Sequence, residues 1–450
     1  MVLNEKKILI VIATLFVIII IPIFLIKFNL FGITDKIFLN LNKETKLILR
    51  TIKKNKSHGF GTFHILKNLV NDYNIKFLPE TQYVDLDFYK KKIKLSGEFS
   101  KNYFQKSKLK RNIFYSFYLE SYKDNILITD YLGNFYLIKT EEVLKKNNKN
   151  LNAEIIDSDL ETFKVLDTLI YNNKIYISHA NQPNKEEECY NFNISYSELN
   201  KHSFKFKNLF SSEECVKQNF YQTYGGRIKF YKHKEKNGIL LTVGDDIINL
   251  TAENRKNDRA QNDKSIVGKI IFIDFDNKKH EIFSKGHRNP QGLFVDGSII
   301  LSTEHGPKGG DEINKIIYGE NYGWPMASYG ETYSWNSGES KKISDFKKSH
   351  SEFGYKEPIF SFVPSIGISE IVKVPDNFAK LWQDNFLVSS LYGHSLFRIK
   401  FDKDYNKILY NEKIFIGDRI RDLKFDQNAQ ALFLVLEESS EIGVIKLKQN

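Results

Sequence analysis

The stretch Asn125-Ile126-Leu127-Ile128-Thr129-Asp130, followed by Gly133-Asn134 and then Phe135-Tyr136-Leu137-Ile138, reads as two short strands around a tight turn. β-Branched and aromatic residues fill two runs of strand length, and Gly-Asn supplies the backbone freedom that a turn needs. The same unit returns at Leu166–Ser178 with Asn191–Tyr196, at Gly225–Val243 with Lys269–Phe275, and at Gly292–Ser302 with Glu312–Ile317. It returns again at Ile371–Ser389 with Leu396–Phe401 and at Arg421–Leu436 with Ile442–Lys446. The spacing is roughly the 40–50 residues of a propeller blade. No long amphipathic run interrupts the series, which argues against a βαβ sheet, and a stacked sandwich does not explain the repeat. The expectation is an all-β, six-bladed β-propeller over residues 111–450.

Working outward from that repeat, residues 31–110 are lysine-rich and read as a stalk or packing segment, with mixed helical spacing at Ile33–Arg50 and His64–Tyr73. Before it, residues 1–30 hold an uncharged run from Ile8 to Ile26, bracketed by Lys6, Lys7 and Lys27. As a helix that run reaches about 28 Å, enough to cross a hydrocarbon core of about 30 Å with help from Phe28 and Leu30. Pro22 is tolerated inside a membrane helix. The run is longer than the apolar region of a cleaved signal, and Ile26-Lys27-Phe28-Asn29 offers no small-residue cleavage site. One N-terminal transmembrane helix is therefore expected, uncleaved.

Lysines flank that helix on both sides, so charge barely discriminates its orientation. Cys189 and Cys215, the two cysteines, both sit in polar surroundings. An even count of this kind points to a disulfide and so to an oxidising, extracytoplasmic compartment, periplasmic or extracellular. The net charge is +11, but the lysines are scattered and no dense basic stripe with interleaved aromatics occurs, which excludes nucleic acid as the partner.

Two consecutive segments depart from the strand pattern. Gly286-His287-Arg288-Asn289-Pro290-Gln291-Gly292-Leu293 places an Arg and an Asn where a strand begins and both can point into a central funnel. Glu304-His305-Gly306-Pro307-Lys308-Gly309-Gly310-Asp311-Glu312-Ile313-Asn314, continuing to Asn321-Tyr322-Gly323-Trp324-Pro325, is a glycine-rich loop with exposed carbonyls and carboxylates, the oxygen-rich set that calcium prefers. Either alone has the composition of an ordinary inter-strand turn. Together, and with Gly225-Gly226-Arg227, Gly244-Asp245, Ala260-Gln261 and Arg419-Ile420-Arg421-Asp422, they closely resemble the quinoprotein glucose/sorbosone dehydrogenase family, the soluble PQQ-dependent glucose and aldose sugar dehydrogenases. The resemblance runs from Gly225 to near the C-terminus and more faintly back to Asn112. It implies a six-bladed propeller that binds pyrroloquinoline quinone (PQQ) and calcium in its funnel and oxidises aldoses.

Carried over residue by residue, the resemblance puts Arg288 and Asn289 at the quinone carbonyl side of PQQ. Arg419 and Arg421 fall where two arginines hold its carboxylates. The carbonyls of Gly306 and Pro307 match ligands of the PQQ-bound calcium, and Glu312 and Tyr322 match a second, structural calcium site. Two positions depart from the family. Thr223 stands where the family has its general-base histidine, and a threonine hydroxyl has no accessible pKa near neutrality. Tyr392 stands where the family has a PQQ-contacting lysine, and it brings no charge to a tricarboxylate. His179 ends a strand of the preceding blade and is the substitute base that position suggests. His287 and His305 read as loop-shaping.

Three functions are compatible with these residues. The first is an active PQQ-dependent aldose or glucose dehydrogenase with an altered base. The second is a non-catalytic, calcium-stabilised propeller that binds a sugar, another small ligand or a protein partner. The third is an assembly platform, since fold does not fix function.

Overall fold

The computed structural model describes residues 84–93, 116–147, 149–182, 189–200, 202–217, 225–245, 258–331 and 346–448. The expected membrane helix at residues 8–26 and the base position Thr223 lie outside these residues, as does most of the lysine-rich stretch.

Six sheets, antiparallel apart from one short parallel pair at the edge of the first, make up the described chain, and they recur as the sequence repeat predicts. Blade 1 opens with Phe117–Tyr122, blade 2 with Lys164–Tyr171, blade 3 with Gly225–His233 and blade 4 with Pro290–Asp296. Blades 5 and 6 open with Ile368–Lys373 and Ile420–Asp426. Each of these opening strands packs against the opening strands of the blades on either side, and the last packs against the first, so the six form a closed ring. The sheets meander outward from that ring, and closure removes the exposed edges that an open sheet would carry.

Ring closure uses a strand that the sequence did not reveal. Leu86–Lys92, within the lysine-rich stretch, pairs antiparallel with Glu441–Leu447 as the outermost strand of blade 6. The chain before blade 1 thus completes the last blade.

The blades are held together by the alternation of side chains along each strand. In blade 3, Ile239, Leu241 and Val243 pack toward blade 2, while Leu240 packs toward blade 4. Ile271 and Ile273 divide from Ile270 and Phe272 in the same way. A hydrophobic cluster fills each of the six contacts between neighbouring blades. Strands sandwiched on both faces bury every residue, as at Asn125–Asp130 and Ala431–Leu436, which explains why they read as continuous apolar runs.

Two-residue turns join the first and second strands of blades 2 and 3. Asn172-Asn173 and Lys234-Glu235 each take positive φ at both central positions, the geometry that matches strand twist. In blade 2, Cys189 and Cys215 are bonded across adjacent strands with Cα atoms 5.6 Å apart and a sequence separation of 26, as the cysteine count suggested. The chain-entropy contribution of such a loop is about 3 kcal/mol.

Candidate active site at the mouth of the ring

Because every blade starts at its inner strand and runs the same way, the first residues of the six inner strands share one end of the ring. The turns joining second to third strands lie there too. Tyr131 donates its backbone N–H to Ser116, Asp245 to Arg288, His305 to Asn289 and Glu437 to Arg419, each link tying a turn to a strand start. Topology therefore brings Arg288, Asn289, Arg419, Arg421, Tyr392, Gly306 and Pro307 to one mouth, although they come from three blades.

A second device aims the side chains inward. Five of the six inner strands carry a register shift near their start: Val165/Asp167, Gly225/Ile228, Pro290/Gly292, Ile368/Ile371 and Ile420/Asp422. A bulge adds a residue and re-aims the side chain it carries. Within or beside these bulges lie Asp167, Arg227, Gln291, Glu370, Arg421 and Asp422, and they form one network on the axis. Arg227 Nη1 lies 3.1 Å from Asp167, 3.1 Å from Glu370 and 3.0 Å from Asp422. Its Nε donates to the carbonyl of Gln291 at 2.6 Å and its Nη2 to the carbonyl of Arg421 at 2.9 Å. Tyr118 of blade 1 lies beneath the guanidinium. All six blades thus meet at one arginine. Burial alone would lower its pKa, but Glu370, Asp167 and Asp422 outweigh that and hold it charged.

Arg421 connects this axis to the mouth. Its Nη1 donates to Gln291 Oε1 at 2.8 Å and its Nε to Glu437 Oε1 at 2.6 Å. Arg419 Nε donates to the other oxygen of Glu437 at 3.3 Å, and the Ser116 hydroxyl also donates to Glu437. Burial would raise the pKa of Glu437, yet Arg421 and Arg419 pull it down to about 2. One fixed carboxylate therefore orients two arginines.

Arg288 donates from Nη1 to the carbonyls of His305 and Gly306 at 3.0 and 2.8 Å, and its backbone N–H donates to Glu304 at 3.0 Å. Trp324 lies under the guanidinium at 5.4 Å. Asn289 Oδ1 accepts from Gly225 N–H at 3.1 Å and from Gln291 at 2.9 Å, which ties the Gly-Gly-Arg turn to the Arg-Asn-Pro turn. Gly226 (φ 99°) sits against Leu166, where a Cβ would come within 2.3 Å, so no larger residue fits. The Asn321–Pro325 segment braces the loop from behind. Trp324 N–H donates to Gly286 at 3.0 Å, its indole donates to Asp245 at 2.5 Å, and Gln261 donates to its carbonyl at 2.5 Å.

The three histidines differ in place. His287 is buried, shares a hydrogen bond with Ser284 at 2.8 Å and stacks on Tyr322, a loop-shaping role. His305 is half-buried among arginines; desolvation first, then Arg288, Arg421 and Arg419, lowers its pKa to about 3. His179 lies two residues from the end of its strand, buried inside blade 2, with Nε2 2.9 Å from the Ser195 hydroxyl. Burial lowers its pKa to about 4, which makes it a weak proton acceptor at neutral pH.

Glu304 and Glu312 are direct register partners on neighbouring strands of blade 4, and both are buried. Asn314 Nδ2 donates to them at 2.6 and 3.3 Å. Burial, then the charge of Glu304, raises the pKa of Glu312 well above the carboxylate range. The Tyr322 hydroxyl is engaged with Lys315 and Ile317. A small cavity lies between these residues and Arg288, His305 and Trp324.

Sequence reasoning missed Gln291, Glu437, Asp167, Glu370 and Lys164, the first residue of the blade 2 inner strand. Only the register of each blade would have placed them at the mouth or the axis.

Comparison with known proteins agrees with this geometry. The glucose/sorbosone dehydrogenase family matches residues 116–445. Aldose sugar dehydrogenase YliI of Escherichia coli is 28% identical over 236 residues, 49% of this chain and 58% of that protein. Quinoprotein glucose dehydrogenase B of Acinetobacter calcoaceticus is 26% identical over 209 residues, 36% of this chain and 44% of that protein. These alignments span about half the length of the relatives. In structure, the apo-form of the soluble aldose sugar dehydrogenase from Escherichia coli superposes with a TM-score of 0.59 at 20% identity, covering 81% of this chain and all of that one. The PQQ-bound aldose sugar dehydrogenase of Streptomyces coelicolor gives 0.51 at 16% identity, over 76% and 98% of the chains. The six-bladed ring, the arginine-lined mouth and the matched span lead to one assignment: the chain belongs to the glucose/sorbosone dehydrogenase family.

Proposed function

We propose that the mouth binds the anionic ortho-quinone PQQ and that the chain oxidises an aldose there, on a propeller tethered by residues 8–26 outside the cytoplasm. The observation that carries this reading is the charge at the mouth. Arg288, Arg419 and Arg421 converge there, and the carboxylate fixed among them is Glu437, so the donor set suits a tricarboxylate. Two relatives named for quinoprotein or PQQ-bound forms support it. When bound, the quinone supplies the hydride acceptor. Arg419 and Arg421 would hold the cofactor carboxylates, Arg288 and Asn289 the quinone side, and Tyr392, half-exposed at the rim, would stack or donate one hydrogen bond.

Calcium fits one of its two expected places. Gly306 already accepts from Arg288, so a cation at the Gly306 and Pro307 carbonyls does not fit this arrangement. The site at Glu312 fits better. Two buried carboxylates face each other, and Asn314 Oδ1 is buried with no hydrogen bond. Among the described residues no three acidic, His or Cys side chains group as a metal site, so amide and carbonyl oxygens, including that of Tyr322, would complete the shell. Calcium at 100 times its dissociation constant should add about 2.7 kcal/mol of stability. Thermal melts with calcium and with chelator check this, and a response that persists in Glu312→Ala would count against the site.

Thr223 favours the second reading, a non-catalytic propeller for a ligand or protein partner. Absorbance titration with PQQ, followed by dye reduction with a panel of aldoses, separates the two. Saturable PQQ binding, weakened at least tenfold in Arg421→Met, with sugar-dependent turnover is the expected result. Binding without turnover selects the non-catalytic reading, and no saturable binding overturns the cofactor reading.

A further inference from the structure

We infer that Lys164 is the catalytic proton acceptor of this propeller, taking the hydroxyl proton of the sugar in place of the family's histidine. The inference rests on the PQQ reading above. Lys164 is the first residue of the blade 2 inner strand, the position that in blades 4 and 6 adjoins Arg288–Asn289 and Arg419. Its Nζ lies 5.4 Å from the centre of the Tyr131 ring, at the turn whose backbone is tied to Ser116, the donor to Glu437. The charged groups that act on the amine are Arg421 and Glu437, members of the cofactor clamp itself. An amine in that place lies within electrostatic range of any molecule held by Arg421.

The environment also keeps the amine usable as a base. Burial first, and then repulsion from Arg421, lowers its pKa to about 7, with Glu437 opposing. His179 and His305, two other nitrogen bases near the mouth, are held to about 4 and about 3. Of these three described bases the lysine is the one matched to neutral pH, where a general base is most effective. In the step proposed, the anomeric O–H bond breaks and its proton passes to Lys164 Nζ, giving the ammonium. The C1–H bond breaks with its electron pair going to the quinone, so C1 is oxidised to the lactone carbonyl and the quinone is reduced.

Lys164→Arg keeps the positive charge but cannot accept a proton, and Lys164→Met loses both. With PQQ bound, both variants should lose about 10²-fold in kcat, with PQQ affinity within about threefold of wild type. The reductively 13C-methylated protein should show one lysine resonance, missing in Lys164→Arg, that titrates near pH 7. Full turnover in Lys164→Arg makes the residue a cation only and overturns the inference while leaving the cofactor reading intact. A Lys164 resonance titrating above pH 9 does the same. PQQ binding without turnover in wild type overturns it too, and no PQQ binding to wild type overturns both.

Discussion

Arg227→Met should destabilise the propeller by about 3–5 kcal/mol, the cost of leaving buried charges without their partner. Asp167, Glu370 and Asp422 come from blades 2, 5 and 6 and converge on this guanidinium, and all three are buried. Remove it and the charged amine nearby is that of Lys229, which Glu370, Asp167 and Glu120 already hold charged against the cost of its burial. The loss is larger than that of one salt bridge because hydrogen bonds to the carbonyls of Gln291 and Arg421 vanish as well. Urea denaturation measures it as a lower midpoint at unchanged slope. The sign of the pH dependence follows. Burial already raises the pKa of Glu370, and loss of the arginine raises it further. A carboxylate whose folded pKa lies above its unfolded value loses stability as pH rises through that window, so the variant should be weaker at pH 8 than at pH 5. Replacing the three acids by Asn, Gln and Asn in the Arg227→Met protein should recover much of the loss. An unfolding free energy within about 0.5 kcal/mol of wild type for the single variant would mean that the axis tolerates the bare carboxylates.

That axis marks the limit of what the sequence discloses. The blades were legible because strands sandwiched between two neighbours must be apolar on both faces, which turns each into a countable run such as Ile239–Val243 with Lys269–Asp274. The mouth was legible in part, since Arg288 and Arg421 lie in motifs with unusual composition. Leu86–Lys92 escaped because an outermost strand is half-exposed and carries lysines like its surroundings. Asp167 and Glu370 escaped for another reason. Which inner-strand side chains turn to the axis depends, as in blades 2 and 5, on a bulge that no periodicity reveals. Lys164 is the sharpest case. In a chain with 66 lysines and arginines nothing in its neighbours distinguishes it. Its meaning comes from ring closure, which brings the mouth ends of blades 2 and 6 to one funnel on either side of blade 1. Fold and motif were therefore local properties, while the electrostatics of the site were a property of the closed ring.

The same contrast shapes the expected behaviour of Thr223→His. Residue 223 lies just before the Gly225 turn, so a histidine there restores the base in the motif that the family resemblance points to. In the Lys164→Met protein with PQQ bound, this substitution should raise kcat by about 10²-fold, the contribution typical of one positioned base. In the wild-type background it should change kcat by less than about threefold, because a proton acceptor is already present. The restored activity should also follow a different pH profile, with its rising limb near the ordinary histidine value of about 6.5 rather than that of the amine. Tyr392→Lys, added to either protein, should act on PQQ affinity instead, by about 1.5–3 kcal/mol for one charge-assisted hydrogen bond. Stopped-flow reduction at saturating sugar separates the two effects, since a base alters the chemical step and an added cation alters occupancy. A 10²-fold rise on Thr223→His in the otherwise wild-type protein would show that the native mouth has no working base, and it would remove Lys164 from that role. A rise in neither background would mean that the chain leading into Gly225 does not carry residue 223 to the sugar hydroxyl. In that case the threonine is no lesion in the site, because the position never faced the reacting atoms.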